Sequence, residues 1–337
     1  MRWLSSTLDG RQVYIDKLRI AYFCLIILHL GTLYTGCSYP QPAQELKSTP
    51  RYASIPTLTV DNYPLIDGST STAPLGALLA CQIMDVPCSW IDTFDGSRYM
   101  MPDLTDFHGD FPSLGHQGTH SSYVNLINGE ADLILVARLP SNDELELASQ
   151  SGINLVPRPV ALDAFVFIVN KNNPVDNVSF SDLQRIYTGK LTNWKELGGE
   201  DVEIHPYQRN EQSGSQQLMN SLVMKGLNMI DAPKMVLPKM SAPFYAVSDD
   251  LLGIGYSVFY YEQNMAPNEN VKLVAVDGIQ PNQNSIQSLQ YPFTSEVYVV
   301  VREDLSPTNP TFSLRDWLLS PEGQGLIEQS GYVPLSN

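Results

Sequence analysis

Ala164-Phe165-Val166-Phe167-Ile168-Val169-Asn170 is followed, after a short polar link, by Ser179-Phe180-Ser181-Asp182-Leu183-Gln184-Arg185-Ile186-Tyr187. The first run is apolar, β-branched and aromatic, and of strand length. It reads as a strand buried on both faces. The second opens on a serine with an acidic residue at the third helical position, which is the signature of a capped helix start. Working outward, the same alternation recurs. Toward the N-terminus, residues 71–84 carry Leu75, Leu78, Leu79 and Ile83 at helical spacing. Residues 119–128 place Tyr123, Leu126 and Ile127 on one helix face, and a short apolar strand follows Gly129 at 132–137. Toward the C-terminus, Leu218, Leu222 and Val223 mark a helix over 213–224. Residues 297–301 form a second apolar strand, and Ser320-Pro321-Glu322 opens a last helix with proline at its first position. Alternating strands and helices predict an α/β fold with parallel sheets covered on both faces.

The chain has 337 residues, 43% of them hydrophobic and 17% charged. That composition supports two cores and excludes a disordered chain. The formal net charge of -16 repels nucleic acid and anionic lipid surfaces at long range. It repels free anions too, so an anion site here needs strong local donors.

The N-terminus reads as an export signal. Arg11, Lys17 and Arg19 precede an apolar run over 20–33 that ends in Leu33-Tyr34-Thr35-Gly36-Cys37. The run is shorter than the ~20 apolar residues of a membrane-spanning helix and contains His29. The Gly36-Cys37 ending resembles a lipobox, with Tyr34 where leucine is usual. Residues 1–36 are therefore expected to be a signal peptide, Cys37 a lipidated N-terminus, and 37–60 a proline-containing tether. Cleavage there removes four basic and two acidic residues and leaves the mature chain two charges more negative. Cys81 and Cys88 remain, either joined as a disulfide permitted outside the cell or with Cys81 as a small core residue on a helix.

Polar chemistry concentrates at three helix starts: Asp67-Gly68-Ser69-Thr70-Ser71-Thr72, Gly118-Thr119-His120, and Arg209-Asn210-Glu211-Gln212-Ser213-Gly214-Ser215-Gln216. Each offers hydroxyls, a glycine that lets backbone approach a ligand, and free N–H groups at a positive helix end. One such turn is an ordinary cap; three in one chain point to an anion. If they converge, ~8 charge-assisted hydrogen bonds of about 1.5–3 kcal/mol each become available.

These stretches, with 63–75, 118–133, 167–175, 186–194, 207–215, Gly253-Ile254-Gly255-Tyr256-Ser257 and Gly331-Tyr332-Val333-Pro334-Leu335, resemble the phosphate-binding proteins of ABC importers, especially their lipoprotein relatives. The resemblance runs from about Tyr63 onward. It implies a two-lobe periplasmic-binding-protein (type II) fold with ligand in the cleft between lobes joined by two hinge strands. Lobe 1 would take 61–163 and 291–337 and lobe 2 would take 164–290, with the runs at 164–170 and 297–301 as crossings. It implies capture of phosphate or a similar oxyanion, delivery to an ABC permease and its ATPase, no catalysis, no cofactor, and a lipid-anchored extracytoplasmic monomer. A binding protein or sensor for another small ligand, without a transporter, is the alternative on the same fold.

The ligand residues implied are Ser69, Thr70, Ser71, Thr119, Arg138, Arg209, Glu211, Ser213, Gly214 and Ser215. Arg209 would hold two ligand oxygens. Glu211 would orient Arg209 or accept the proton of hydrogen phosphate. Arg138 stands where the best-known members carry an aspartate that accepts that proton. It would donate to the ligand instead, or pair on the surface with Asp143 or Glu144. His108, His116 and His120 share one segment, but Gly118 and Thr119 break the helix that metal ligation at four-residue spacing requires, so His120 reads instead as a cap-region or cleft hydrogen-bonder. No serine has the Gly-x-Ser-x-Gly setting of a hydrolase. Tyr260 and Tyr261 read as packing rather than a nucleic-acid platform.

Overall fold

A computed structural model describes residues 58–94 and 96–335. The expected signal peptide, Cys37 and the tether up to residue 57 lie outside the described residues. The chain enters β1 (Ile66–Gly68), passes a single 3-10 turn (Thr70–Thr72) into α1 (Ala73–Met84), and forms the ribbon β2 (Cys88–Asp92) and β3 (Arg98–Pro102). Next come α2 (Thr119–Asn128), β4 (Leu133–Val136), α3 (Asn142–Gln150) and the long β5 (Leu155–Asn170). The middle of the chain holds β6 (Asn177–Val178), α4 (Phe180–Tyr187), β7 (His205–Pro206), β8 (Gln208–Arg209), α5 (Gly214–Leu218), β9 (Val236–Leu237), α6 (Ala242–Asp249), β10 (Gly253–Val258), β11 (Val271–Val276) and α7 (Gln283–Gln287). β12 (Thr294–Arg302), α8 (Pro310–Leu318), α9 (Pro321–Ser330) and β13 (Val333–Pro334) follow.

β5 organises two lobes. Nine of its first ten residues pair antiparallel with β12, from Arg302↔Leu155 to Thr294↔Ala164, with Val160 skipped at a register shift, and β13 joins at Val333↔Leu162. β12 in turn pairs with β4, and β4 with β1. From Phe165 onward the partners change to β10 (Val258↔Phe165) and β11 (Val274↔Phe167). Every residue from Val160 to Asn170 is buried, so the strand contributes to both cores, as its uninterrupted apolar run requires.

Two expectations are corrected. The sheets are mixed: β1–β4, β10–β7 and β11–β6 are parallel, while β12 and β5 run antiparallel. A chain that leaves one lobe along β5 and returns along β12 must lay those two strands in opposite directions. The apolar run at 164–170 contains the change of strand partners, between Ala164 and Phe165, but the run at 297–301 does not. Residues 165–170 already lie among second-lobe strands, and 297–301 lie between β4 and β5 of the first. Just ahead of β12, Phe293 O accepts from Phe165 N at 2.9 Å. Burial makes a run apolar, and crossing does not.

Asp163 sits at that junction, 1% exposed. Its Oδ1 accepts from Ala164 N at 2.8 Å and Tyr260 N at 2.9 Å. Burial pushes its carboxyl up to about 7, against the opposing pull of those two N–H groups. Cys81 and Cys88 are joined as a disulfide that ties the end of α1 to β2.

Candidate functional site

The first polar loop is locked onto β4. Ser69 N donates to Leu135 O at 3.0 Å, and Thr72 Oγ1 donates to the same carbonyl at 2.6 Å. A Cβ on Gly68 would stand 2.6 Å from Leu135 O, so only glycine permits this approach. The hydroxyls of Ser69 and Ser71 lie 3.2 Å apart. Tyr332 supports the loop from beneath: its hydroxyl donates to Ser71 O at 2.8 Å, and its ring stacks on Tyr260 at 3.7 Å between centroids.

The second loop is stapled to the first. Gly118 N and Ser122 Oγ both donate to Gly68 O, at 3.3 Å and 2.8 Å. Gly118 holds a φ of 95°, a backbone state that favours glycine. It sets Thr119 at the start of α2. The third loop belongs to the other lobe. Ser213 caps α5 by accepting from Gln216 N at 3.1 Å. A Cβ on Gly214 would lie 2.6 Å from Thr119 Oγ1, so two helix starts from different lobes come into near contact there.

These loops enclose a cavity of about 510 Å³. Ser69, Thr70, Ser71, Thr119, Arg138, Arg209, Ser213, Gly214 and Ser215 all line it. Glu211 does not, and both roles expected for it are corrected. It is exposed on an outer depression with Gln217 and Asp231, and its carbonyl accepts from Gln217 Nε2. The chain turns after Arg209, with Ser213 N donating to Asn210 O at 3.0 Å, and this turn swings Glu211 away.

Arg209 and Arg138 are each 6% exposed. The Arg209 guanidinium donates to Leu237 O at 2.9 Å, to Pro238 O at 3.3 Å and to Met240 Sδ at 3.3 Å. It pairs with no carboxylate among the described residues, and burial holds it below its ordinary range. Arg138 is bidentate on Glu144, with both N···O distances 2.7 Å, and its Nη1 also donates to Leu139 O. The expected surface pairing with Glu144 is thus an interior pair, since Glu144 is fully buried. Arg138 Nε has no hydrogen-bond partner.

Sequence reasoning missed Lys239, Met240 and Gln117, whereas His120 lies at the cavity as its reading as a cap or cleft residue allowed. The helix start next to Thr119 was a usable signal for His120. Lys239 reaches the cavity from the loop after β9, and nothing local announces it. His116 bonds Leu114 O instead of entering the cavity.

Comparison with known proteins gives one consistent result. The model of the PBP superfamily domain matches residues 105–322. The chain is 26% identical to Protein SphX of Synechococcus elongatus over 266 residues, covering 72% of this chain and 77% of that one. It is 28% identical over 228 residues to the phosphate-binding protein PstS of Staphylococcus epidermidis, covering 66% and 69%. A putative phosphate ABC transporter substrate-binding protein from Clostridium perfringens, solved with bound phosphate, superposes with a TM-score of 0.60 at 24% identity, over 80% of this chain and 98% of that one. That last likeness establishes the two-lobe fold.

Proposed function

Because the chain belongs to the PBP superfamily, we propose that it is an extracytoplasmic solute-binding protein that captures phosphate, or a closely similar oxyanion, between its lobes and delivers it to an ABC importer. The observation that carries this reading is the convergence of three hydroxyl-rich loops and two buried arginines on one cavity. Helix starts supply N–H donors and a positive end, and the guanidinium of Arg209 waits without a counter-charge. In the folded interior such donors outweigh the long-range repulsion of an acidic surface, which salt screens beyond about 8 Å. The names of the PstS relatives support phosphate as the ligand. Binding and release, with no bond made or broken, is all the role demands.

The lobes are taken as 61–163 with 291–337, and 164–290, and ligand entry is taken to close them as a hinge. Lipidation at Cys37, a tether to the membrane and a monomeric state complete the reading. Titration calorimetry on the ligand-stripped chain tests it. Phosphate is expected to bind at micromolar concentration or tighter, about -8 kcal/mol. A chain that takes up neither phosphate, arsenate nor sulfate at millimolar concentration sinks the proposal. Failure of the wild type to incorporate labelled fatty acid, or of Cys37→Ala to lose it, removes the anchor alone.

A further inference from the structure

The cavity that gathers the three polar loops has a neighbour. A second cavity, of about 900 Å³, adjoins it, and Ala137, Arg138 and Leu218 line both. Ala137 and Arg138 follow β4 in the first lobe, whereas Leu218 ends α5 in the second. The partition between the cavities is therefore built from both lobes. From this geometry we propose that the ligand is a phosphate monoester, with its phosphoryl group in the first cavity and its organic group in the second. The inference rests on the oxyanion reading above and names the ligand class for that same site.

The second cavity suits an uncharged organic group. Leu139 and Leu162 of the first lobe line it together with Leu222 and Leu289 of the second. Leu139 is 50% exposed and Leu289 is 66% exposed, so large apolar side chains are left in water there. Leu289 also holds a φ of 56°, a left-handed state that is strained for leucine. Such strain persists where the surroundings impose it, and it gathers at ligand sites. Tyr291 lines the cavity too, with a buried hydroxyl that has no hydrogen-bond partner among the described residues, a place for a polar atom of the ligand. Glu296 is the one carboxylate among the described lining residues, and its Oε2 accepts from Tyr298 Oη. The one cation there, Arg138, is already matched by Glu144. The Glu296 charge thus turns away a second anionic group.

The first cavity accepts an ester. Among the described residues no Asp or Glu lines it, while Arg209 and Lys239 bring cationic donors. Donors serve the three phosphoryl oxygens of a monoester, and no carboxylate there demands a P–O–H. The fourth oxygen is free to carry carbon. Each cavity, at about 510 and about 900 Å³, has the size of a site for an organic molecule. Because the partition joins the two lobes, their separation opens it, and their closure clasps the ligand near its ester oxygen.

Titration calorimetry on the ligand-stripped chain at about pH 8 compares phenyl phosphate with inorganic phosphate, both mainly dianions there. Wild type is expected to bind phenyl phosphate about tenfold or more tightly than phosphate, the gain from burying an aromatic ring. Ser221→Trp fills the second cavity from an exposed position, and Leu139→Asp puts a charge in its wall. Each is expected to remove the advantage of the ester and to leave phosphate affinity within about twofold, with an unchanged thermal transition. Where a variant loses that transition, the wild-type comparison alone decides. Equal or weaker binding of phenyl phosphate by wild type, or an advantage retained in both variants, overturns the assignment. Binding of neither ligand by wild type overturns the oxyanion reading beneath it.

Discussion

Two buried arginines face the same cavity from opposite lobes and are treated in opposite ways. Arg138 is neutralised by the fully buried Glu144 through two short hydrogen bonds. Among the described residues the guanidinium of Arg209 is held by two backbone carbonyls and a methionine sulfur. Each arrangement has its own energetic logic. A buried pair settles its own charge and contributes geometry. A buried guanidinium without a counter-charge leaves its electrostatic demand open, and an incoming anion meets it. On the proposed reading the charge of Arg138 is settled within the protein, although its Nε has no partner among the described residues, whereas that of Arg209 is left for the anion to meet. Asp163 at the junction extends the contrast, being as buried as Glu144 but with no cation beside it.

The largest expected effect comes from breaking the finished side. Glu144→Ala leaves Arg138 buried and unpaired, and chemical denaturation is expected to show a loss of about 3–5 kcal/mol. A change within experimental error would mean that Arg138 finds water or another acceptor easily. On the open side, Arg209→Ala is expected to cost about 2–5 kcal/mol of phosphate binding in calorimetry. Equal affinity in that variant would remove Arg209 from the site.

The carboxyl of Asp163 offers a test by pH. Its folded-state value is pushed up to about 7, from an ordinary 3.8. Between those limits the folded chain holds a proton that the unfolded chain has lost. Its contribution is complete below the lower limit and is lost as pH rises through the upper one. Asp163→Asn removes that loss, so its melting temperature relative to wild type is expected to climb between about pH 4 and pH 8. A constant offset would place the carboxyl's titration elsewhere. The smallest effect is reserved for Glu211→Gln, which should leave affinity for both anions within about twofold, as exposed substitutions do. A selective gain in sulfate binding there would return Glu211 to the cavity.

The legible parts of the molecule were those decided locally. Thr119 to Asn128 shows its helical spacing and its opening glycine in the sequence, and the helix occupies those residues. Ser179 and Asp182 make the cap expected of them, with Asp182 N donating to Ser179 Oγ at 3.0 Å. What depends on chain direction was lost. Residues 209 and 211 would share a face on a continuing strand, but the turn at Asn210 ends the strand and reverses the outcome. Glu144 stands in a first helical turn, where acidic residues are common and usually solvated. Its burial against Arg138 is a tertiary event that periodicity does not encode. Lys239 likewise enters from a distant loop.

The brace beneath the first loop carries a consequence for biosynthesis. Ser71 and Tyr332 are 261 positions apart, yet one hydrogen bond joins them. A ribosome delivers Ser69, Thr70 and Ser71 early and Tyr332 only after both lobes' strands have been made. The loop therefore spends most of the chain's synthesis and export without its support, and such distant contacts form late because they close a very long loop of chain. A product cut short before Tyr332 would carry every hydroxyl of the first loop and lack the ring that supports it, so the arrangement of that loop is completed only by the C-terminal segment.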